Sequence, residues 1–324
     1  NFARDVFPRE SWTHVGCDAA LESLDILYRN GVRYLVITGG EPTLHPHLAE
    51  IAKHGADLGM KMMLVTNGSL LKPKRVRHLV DSGISSFIIS IDAADREAHE
   101  ANRGLPGVCE RIRAANALLR ELRVHTTASV TMSRLLDYDA LPGFLESLGF
   151  DSVTFSYPVT GLGSNFLGFS DGDLVKFSNE ELLEAFEQVK RLKKRFRVVN
   201  PTPSLDEMQR FVRGEEQRHA CLAGFQYFYL DWNVDLWRCH NWDKPMCSIY
   251  EFDGSQRVRD GCTRCMLDCY RDSSVMQGIG VSAHDAWQAL RSGRLREAGR
   301  ALARPSNLGS VRSLIEEMPW LVRF

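Results

Sequence analysis

The amino-acid sequence predicts an α/β protein in which a parallel sheet with helices is followed by a cysteine-rich unit and a helical tail. Two observations support this fold class. Over the first 200 residues, short β-branched apolar runs alternate with amphipathic segments. Six of the eight cysteines then fall between residues 221 and 269. We therefore divide the chain into residues 1–200, 201–280 and 281–324.

The predicted strands are short runs that are nearly all apolar, as expected of strands buried on both faces. They span residues 34–38, 62–66, 86–91, 126–130 and 152–156. Between them, helical periodicity predicts helices at 18–30, 46–59, 73–82, 107–122 and 138–148. We expect an irregular loop at 160–168 and a charged helix at 179–195.

The composition of the chain excludes some classes of binding partner. Forty basic and 41 acidic residues give a net charge of -1, which argues against nucleic acid or anionic lipid as a partner. No apolar run approaches the roughly 18 residues of a membrane-spanning helix. We expect a small-molecule or peptide substrate. No secretory signal is visible, so we expect a cytoplasmic protein whose clustered cysteines bind metal or catalyse rather than form disulfides.

The most informative motif follows the first predicted strand and reads Gly39-Gly40-Glu41-Pro42. Two glycines let the backbone turn sharply and expose its polar groups to a ligand. Glu41 then places a carboxylate at the carboxyl end of a parallel strand, where α/β folds bind ligands. Such a site suits a cationic amino group, although a strand-to-helix turn with a surface glutamate explains the tetrapeptide alone equally well.

This motif resembles the GGEP motif of the radical S-adenosylmethionine (radical SAM) superfamily, and two further motifs at successive strands extend the resemblance. Thr66-Asn67-Gly68 is similar to the family's TNG turn, and Ser90-Ile91-Asp92 to its S-[IL]-D motif. Ser129, Thr131 and Ser156 match more loosely. The resemblance implies that S-adenosylmethionine is bound by Gly39, Gly40, Glu41, Pro42, Asn67, Ser90, Asp92, Ser129 and Thr131.

The chain departs from the family in one respect. The CxxxCxxC loop that holds the radical SAM [4Fe–4S] cluster does not occur in this sequence. The resemblance implies a partial (β/α)6 barrel, and the five predicted strands are one short of six. We therefore expect the first strand and the cluster ligands to lie upstream of Asn1.

The clustered cysteines suggest a second metal site. A tetrathiolate site for zinc or iron–sulfur needs four sulfurs from separate chain segments. Cys221 and Cys239 flank a strand-like run, and Cys262 and Cys265 form a CxxC knuckle. This pattern resembles the twitch domain, a short relative of the SPASM domain, which implies one auxiliary [4Fe–4S] cluster on these four cysteines. Cys269 is a substitute ligand for Cys265 or a fifth thiol, and zinc is the alternative metal.

Two residues near this site are candidates for catalysis. His240 follows a predicted ligand and is suited to act as a base, although a structural histidine is at least as common at such a position. Cys247 has a thiol that can donate a hydrogen atom to a substrate radical. For Cys269, a buried inert thiol is the other interpretation.

The resemblance implies an enzyme in which a reduced cluster cleaves S-adenosylmethionine and the 5′-deoxyadenosyl radical abstracts hydrogen from a substrate. We expect an oxidoreductase or epimerase acting on a carbohydrate or aminocyclitol, with the auxiliary cluster as electron acceptor and flavodoxin or ferredoxin as reductant. The first alternative is modification of a ribosomally made peptide. The second is a zinc-ribbon binding or scaffold protein on a degenerate barrel.

Overall fold

Five parallel strands form the larger sheet of this computed structural model, which describes residues 14–158 and 173–321. All five were predicted, and each pairs with the next in chain order. They are β1 (Tyr34–Ile37), β2 (Lys61–Thr66), β3 (Ile84–Ile91), β4 (His125–Thr131) and β5 (Ser152–Ser156). The predicted parallel α/β architecture is therefore confirmed. The loop predicted at 160–168 lies outside the described residues.

Six helices precede or connect these strands. They are α1 (Cys17–Arg29), α2 (Leu48–Asp57), α3 (Pro73–Asp81), α4 (Arg96–Arg103), α5 (Val108–Glu121) and α6 (Leu141–Leu148). Five match predicted helices, but α4 was missed because its sequence is almost wholly polar and only His99 is buried. An Asp95 side chain that accepts a hydrogen bond from the Ala98 N–H starts this short helix.

The order of the strands explains where the helices pack. Crossovers between parallel strands are right-handed, so a sheet that adds each strand on the same side carries all its helices on one face. On that face Phe87, Ile89 and Ile91 of β3 are fully buried. On the other face Ser90 and Ile88 are only half-buried. The prediction that both faces are buried is therefore wrong for this second face, which is partly open.

After β5 the chain forms two further helices, α7 (Asn179–Leu192) and α8 (Thr202–Val212). The predicted charged helix is α7. It starts with a capping box, in which Ser178 and Glu181 each accept a hydrogen bond from the other's backbone N–H. Leu205 and Met208 of α8 join the main core, so these helices extend the hydrophobic core of the sheet.

A second, antiparallel sheet and three helices complete the described chain. The sheet consists of β6 (Tyr229–Leu230), β7 (Asp235–Trp237) and β8 (Cys247–Ser248), and the helices are α9 (Asp268–Arg291), α10 (Leu295–Leu302) and α11 (Ser306–Leu321). Helix α9 runs continuously across residue 280, where the sequence suggested a boundary. Over the residues that the structure describes, no helix has both the length and the apolar character needed to cross a membrane.

Candidate functional site

The turn after β1 is held by the Glu41 side chain. Its Oε1 accepts hydrogen bonds from the Thr43 N–H (3.1 Å), the Thr43 hydroxyl and the Thr66 hydroxyl (2.7 Å). Its Oε2 accepts one from the backbone N–H of Asn67 at 2.7 Å. Gly39 has a φ of +148°, which only glycine adopts readily. The Glu41 carboxylate thus links the turn after β1 to the turn after β2.

This arrangement leaves Glu41 with spare capacity on one oxygen. A carboxylate offers about four lone-pair positions. Three protein donors occupy Oε1, but one occupies Oε2, and the residue is half-buried. Gly39 and Gly40 beside it are exposed. Oε2 can therefore accept another hydrogen bond, as the binding of an ammonium group would require.

The turn after β2 is equally well defined. The Thr66 hydroxyl accepts a hydrogen bond from the Gly68 N–H at 3.1 Å, and the Asn67 side-chain oxygen accepts one from the Ser69 N–H at 2.8 Å. Gly68 has a φ of +79°, and a Cβ at that position would lie 2.8 Å from Ile112 Cγ1. Glycine is thus required here both by conformation and by the close approach of α5.

A row of hydroxyl groups crosses the open face of the sheet near its carboxyl edge. In the strand register Ser90 pairs with Ser129, and Ser129 pairs with Thr154. Thr131 pairs with Ser156 two residues further along. All five side chains are half-buried. The structure thus brings four residues named in the sequence analysis together and adds Thr154, which that analysis missed because it has no motif.

Asp92 behaves differently from its predicted neighbours. Its side chain is fully buried, and its carboxylate accepts hydrogen bonds from Asn102 Nδ2 (2.7 Å) and Arg103 Nη2 (2.5 Å). Its backbone N–H donates to His99 Nδ1 at 3.1 Å. Protein donors from α4 therefore occupy the carboxylate. In this structure Asp92 positions Asn102 and Arg103 and does not itself face an open site.

Four of the predicted metal ligands line one cavity. Cys221, Cys239, Cys262 and Cys265 come from three separate segments and surround the same small space. All eight cysteines of the chain are free thiols. A 2.7 Å hydrogen bond from the Cys221 N–H to the Cys262 carbonyl oxygen ties two of the segments together. The structure thus brings the four predicted ligands to one cavity, and their binding of a metal stays a prediction.

The spacing of these thiols bears on the choice of metal. A tetrahedral zinc ion with Zn–S bonds of about 2.3 Å puts its sulfurs about 3.8 Å apart. Within the described ranges, no three cysteine sulfurs lie within 4.8 Å of one another. In every set of three of these sulfurs at least one pair is therefore more than 4.8 Å apart, which is wider than in a tetrahedral zinc site and favours a larger cluster.

Hydrogen bonds and charge around the cavity also suit a bound thiolate cluster. The backbone N–H groups of Asn241 and Leu267 act to lower the pKa values of Cys239 and Cys265, respectively, against the effect of burial. Interaction with the Cys262 sulfur raises the pKa of Arg264. Such bonds stabilise thiolates and tune iron–sulfur clusters.

Two guanidinium groups flank this cavity. Arg238 and Arg264 lie 4.5 and 4.8 Å from the ring centroid of Trp242, and buried Arg238 also bonds Asp260 at 2.7 Å. This partner lowers the pKa of Asp260 to about 2. Burial raises the pKa of Cys239 to about 11 and also raises that of Cys265. Buried thiols of this kind become thiolates when a metal supplies positive charge.

The predicted catalytic residues lie in different places. His240 Nδ1 lies 2.8 Å from the Tyr270 hydroxyl beside the four-cysteine cavity, and burial lowers the pKa of His240 to about 4. Its imidazole is therefore neutral near pH 7. Cys247 lies in β8 and packs against a separate apolar cluster with Ile26 and Leu27 of α1. The two residues thus do not share a site in this structure.

Helix α9 begins beside the carboxyl end of β5. The Ser156 hydroxyl lies 3.3 Å from Asp268 Oδ2. Burial, followed by the nearby Asp272 charge, raises the pKa of Asp268 to about 7. Cys269 is solvent-accessible, and desolvation by the surrounding protein is the largest cause of its raised pKa. This junction brings the sheet edge close to the cysteine-rich region.

A buried network behind this junction was not recognised in the sequence. Asp272 accepts hydrogen bonds from Asn200 Nδ2 (2.7 Å), the Tyr157 hydroxyl (3.0 Å) and the Ser204 hydroxyl. Asn200 also bonds both backbone groups of Phe155, at 2.7 and 2.9 Å. The network therefore joins α8 and α9 to the edge strand β5, through residues that share no motif.

Two curated relatives share part of this sequence. The AdoMet-dependent heme synthase of Methanosarcina barkeri is 38% identical over 116 residues, which are 35% of this chain and 33% of that protein. The PqqA peptide cyclase of Rhizobium meliloti is 28% identical over 132 residues, or 41% of this chain and 33% of that protein. This chain thus spans about a third of the length of each.

Solved structures of similar fold cover more of the chain. Streptococcus suis SuiB has a TM-score of 0.53 at 18% identity, covering 75% of this chain and 59% of SuiB. SuiB bound to the precursor peptide SuiA has a TM-score of 0.52 at 16% identity, covering 80% of this chain and 65% of that one. At this level of identity the likeness concerns the fold alone.

The family comparison agrees with the motifs at the strand ends. Residues 7–140 match the family model described as the radical SAM superfamily. That range contains the Glu41 turn, the turn at Asn67 and the hydroxyls of Ser90 and Ser129, which the structure places along one edge of the sheet. Over residues 7–140 the chain therefore carries a radical SAM domain.

Proposed function

We propose that this chain forms the body of a radical SAM enzyme that also carries one auxiliary [4Fe–4S] cluster, held by Cys221, Cys239, Cys262 and Cys265. The observation that carries the proposal is the cavity that these four thiols line, in which no three sulfurs lie within 4.8 Å of one another. Cys269 lies in the first turn of α9 and remains the substitute ligand.

Superfamily membership implies S-adenosylmethionine and a [4Fe–4S] cluster, which together supply carbon-centred radical chemistry when bound. Glu41 Oε2, with its spare lone pair, would accept a hydrogen bond from the amino group of the methionyl moiety. The hydroxyl row of Ser90, Ser129 and Thr154 would hold polar atoms of the cofactor on the open face of the sheet. Cleavage needs one electron, so we expect a reductant such as flavodoxin or ferredoxin.

For the reaction, oxidation or epimerisation of the substrate follows from hydrogen abstraction. For the substrate we now favour a peptide over the carbohydrate or aminocyclitol first expected. Matches to the heme synthase cover about a third of this chain, whereas likeness to SuiB covers 75–80% and so extends beyond the first 200 residues. The names of the PqqA peptide cyclase and of the SuiB complex with its precursor peptide both refer to a peptide, and neither refers to a carbohydrate.

The metal assignment is tested by anaerobic reconstitution of the protein with iron and sulfide. We expect a brown protein whose iron content falls by four per chain in a Cys221→Ala, Cys262→Ala double variant. A Cys247→Ala variant is the matched control, because Cys247 lies outside the cavity, and it should keep the iron. A colourless protein with one zinc per chain would support the zinc-ribbon alternative instead.

The substrate class is tested separately with the intact protein, S-adenosylmethionine and reductant. A pool of synthetic linear peptides and a pool of neutral and amino-substituted cyclitols are compared. We expect peptides to increase 5′-deoxyadenosine release and to lose two hydrogens in mass or to take up solvent deuterium. If only the cyclitols increase 5′-deoxyadenosine release and lose hydrogen or take up deuterium, the peptide assignment is wrong and the substrate is of the carbohydrate or aminocyclitol class.

A further inference from the structure

We infer that Cys17, His47 and Glu50 form a zinc site that is separate from the four-cysteine cavity. Their ligand atoms, one sulfur, one imidazole nitrogen and one carboxylate oxygen, all lie within 4.8 Å of one another. Cys17 lies outside the cysteine cluster in the sequence, seventeen positions before β1. The fold brings it to two ligand-type side chains that follow the Glu41 turn.

Two helix starts create this cluster. Cys17 is the first residue of α1, whereas His47 immediately precedes α2 and Glu50 lies in its first turn. The helices pack against each other through Leu24 and Ile51 of the main core. The spacing of three places His47 and Glu50 on the same side of the helix start, with His47 Nδ1 3.2 Å from a Glu50 oxygen.

His45 fixes the relative position of the two segments. Its Nε2 lies 2.9 Å from the carbonyl oxygen of Val15, and its Nδ1 accepts a hydrogen bond of 3.1 Å from the His47 N–H. Because one nitrogen accepts, the other donates to the carbonyl, and neither is left for a metal. His45 is therefore a positioning residue that holds the segment before Cys17 beside His47.

The donor set favours zinc over harder ions. Zinc binds cysteine sulfur, imidazole nitrogen and carboxylate oxygen, whereas calcium and magnesium take oxygen ligands. A thiolate and a carboxylate with neutral imidazole also balance the two positive charges of the ion. His47 and Glu50 are exposed and Cys17 is half-buried, so water can complete a tetrahedral site. The ion would brace the segments on either side of the Glu41 turn.

The test measures zinc in protein whose four-cysteine cavity has already been filled by iron reconstitution. Zinc is added, weakly held metal is removed by dialysis, and metals are counted by mass spectrometry. We expect about one zinc per chain in the wild type. We expect Cys17→Ser and His47→Gln to lower the zinc affinity roughly tenfold or more. His54→Gln is the matched control, since His54 lies on α2 but pairs with Asp25 at 2.8 Å.

Iron content distinguishes this inference from the proposed function. Cys17→Ser and His47→Gln should keep the iron of the wild type and its far-ultraviolet circular dichroism. Cobalt provides a second readout in protein that has not been reconstituted with iron. Cys17→Ser should remove the absorption of one thiolate-to-cobalt bond and leave the absorption from the other cysteines unchanged. Equal zinc content and equal cobalt spectra in the wild type and both variants would overturn the site.

Discussion

The carboxylate of Glu41 accepts a 2.7 Å hydrogen bond from the backbone N–H of Asn67, 26 residues further along the chain. This bond joins two turns that the superfamily motifs describe separately. Glu41 thus has two roles in our account, because it holds the neighbouring turn and keeps one lone pair for a ligand. Any change to this side chain should affect both the fold of the turns and cofactor binding.

Glu41→Gln is expected to weaken S-adenosylmethionine binding by the intact protein. Hydrogen bonds to charged groups contribute roughly 1.5–3 kcal/mol, so the affinity should fall about tenfold to a hundredfold. Isothermal titration calorimetry under anaerobic conditions measures it. The control is Glu110→Gln, which removes an exposed carboxylate paired with Arg113. Equal affinities in the two variants would contradict the role of Glu41.

Gly68→Ala should destabilise the turn after β2 more than an alanine at another positive-φ glycine does. Gly59 has a φ of +90° but open space around its missing Cβ, so Gly59→Ala reports backbone strain alone, roughly 1–2 kcal/mol. At Gly68 the contact with Ile112 should add about 1–3 kcal/mol. Urea unfolding of both variants measures the difference. Equal losses in the free energy of unfolding would show that α5 moves away from the added methyl group without destabilising the protein.

His99 should make the protein sensitive to mild acid. Burial lowers its pKa from 6.5 to about 4, so the unfolded chain binds a proton that the folded chain resists. The contribution of neutral, buried His99 to the free energy of unfolding is therefore fully present above pH 6.5 and is lost as the pH falls towards 4. It amounts to roughly 3 kcal/mol. His99→Asn keeps an acceptor for the Asp92 N–H but does not titrate.

The His99→Asn variant should therefore lose less stability between pH 7 and pH 4 than the wild type does. Urea unfolding across this range gives both curves. Every other titrating group is common to the two proteins. If the free energy of unfolding falls equally with pH in both, His99 is not the source of the acid sensitivity.

Asn200→Ala is expected to destabilise the junction between β5 and α9. The substitution leaves the two buried backbone groups of Phe155 without their side-chain partner and removes one of the two donors to Asp272 Oδ2, which keeps the Tyr157 hydroxyl. Each unsatisfied buried group costs about 1–3 kcal/mol, so we expect a loss of roughly 2–4 kcal/mol. Asn179→Ala at the exposed start of α7 is the control. A loss below about 1 kcal/mol would show that water replaces the side chain.

The strands and the four-cysteine cavity could be predicted because local pattern determines them. Apolar runs of β-branched residues form the buried face of the sheet, and the CxxC knuckle keeps Cys262 near Cys265 in any fold. Helix α4 lacked such a pattern, since its polar sequence is helical only through the Asp95 cap and the burial of His99. Short polar helices therefore cannot be predicted from hydrophobic periodicity.

The residues that were not foreseen depend on contacts across the chain. Asp92 matches a cofactor-binding motif, but Arg103 and Asn102 of α4 occupy its carboxylate. Cys17 lies outside the cysteine cluster in the sequence, and the packing of α1 on α2 brings it to His47. Thr154 joins the hydroxyl row only through the strand register. Motifs identify residue types, whereas these relationships arise from tertiary packing.

The central claim is that this chain binds the S-adenosylmethionine of a radical SAM enzyme and holds a second cluster that cleavage of S-adenosylmethionine does not need. The most direct test is the amount of 5′-deoxyadenosine that the intact protein releases with dithionite, measured by chromatography under anaerobic conditions. Our account predicts release by the wild type, continued release by the Cys221→Ala, Cys262→Ala variant, and a strong decrease in Glu41→Gln. No release by the intact, iron-loaded wild-type protein would contradict the account.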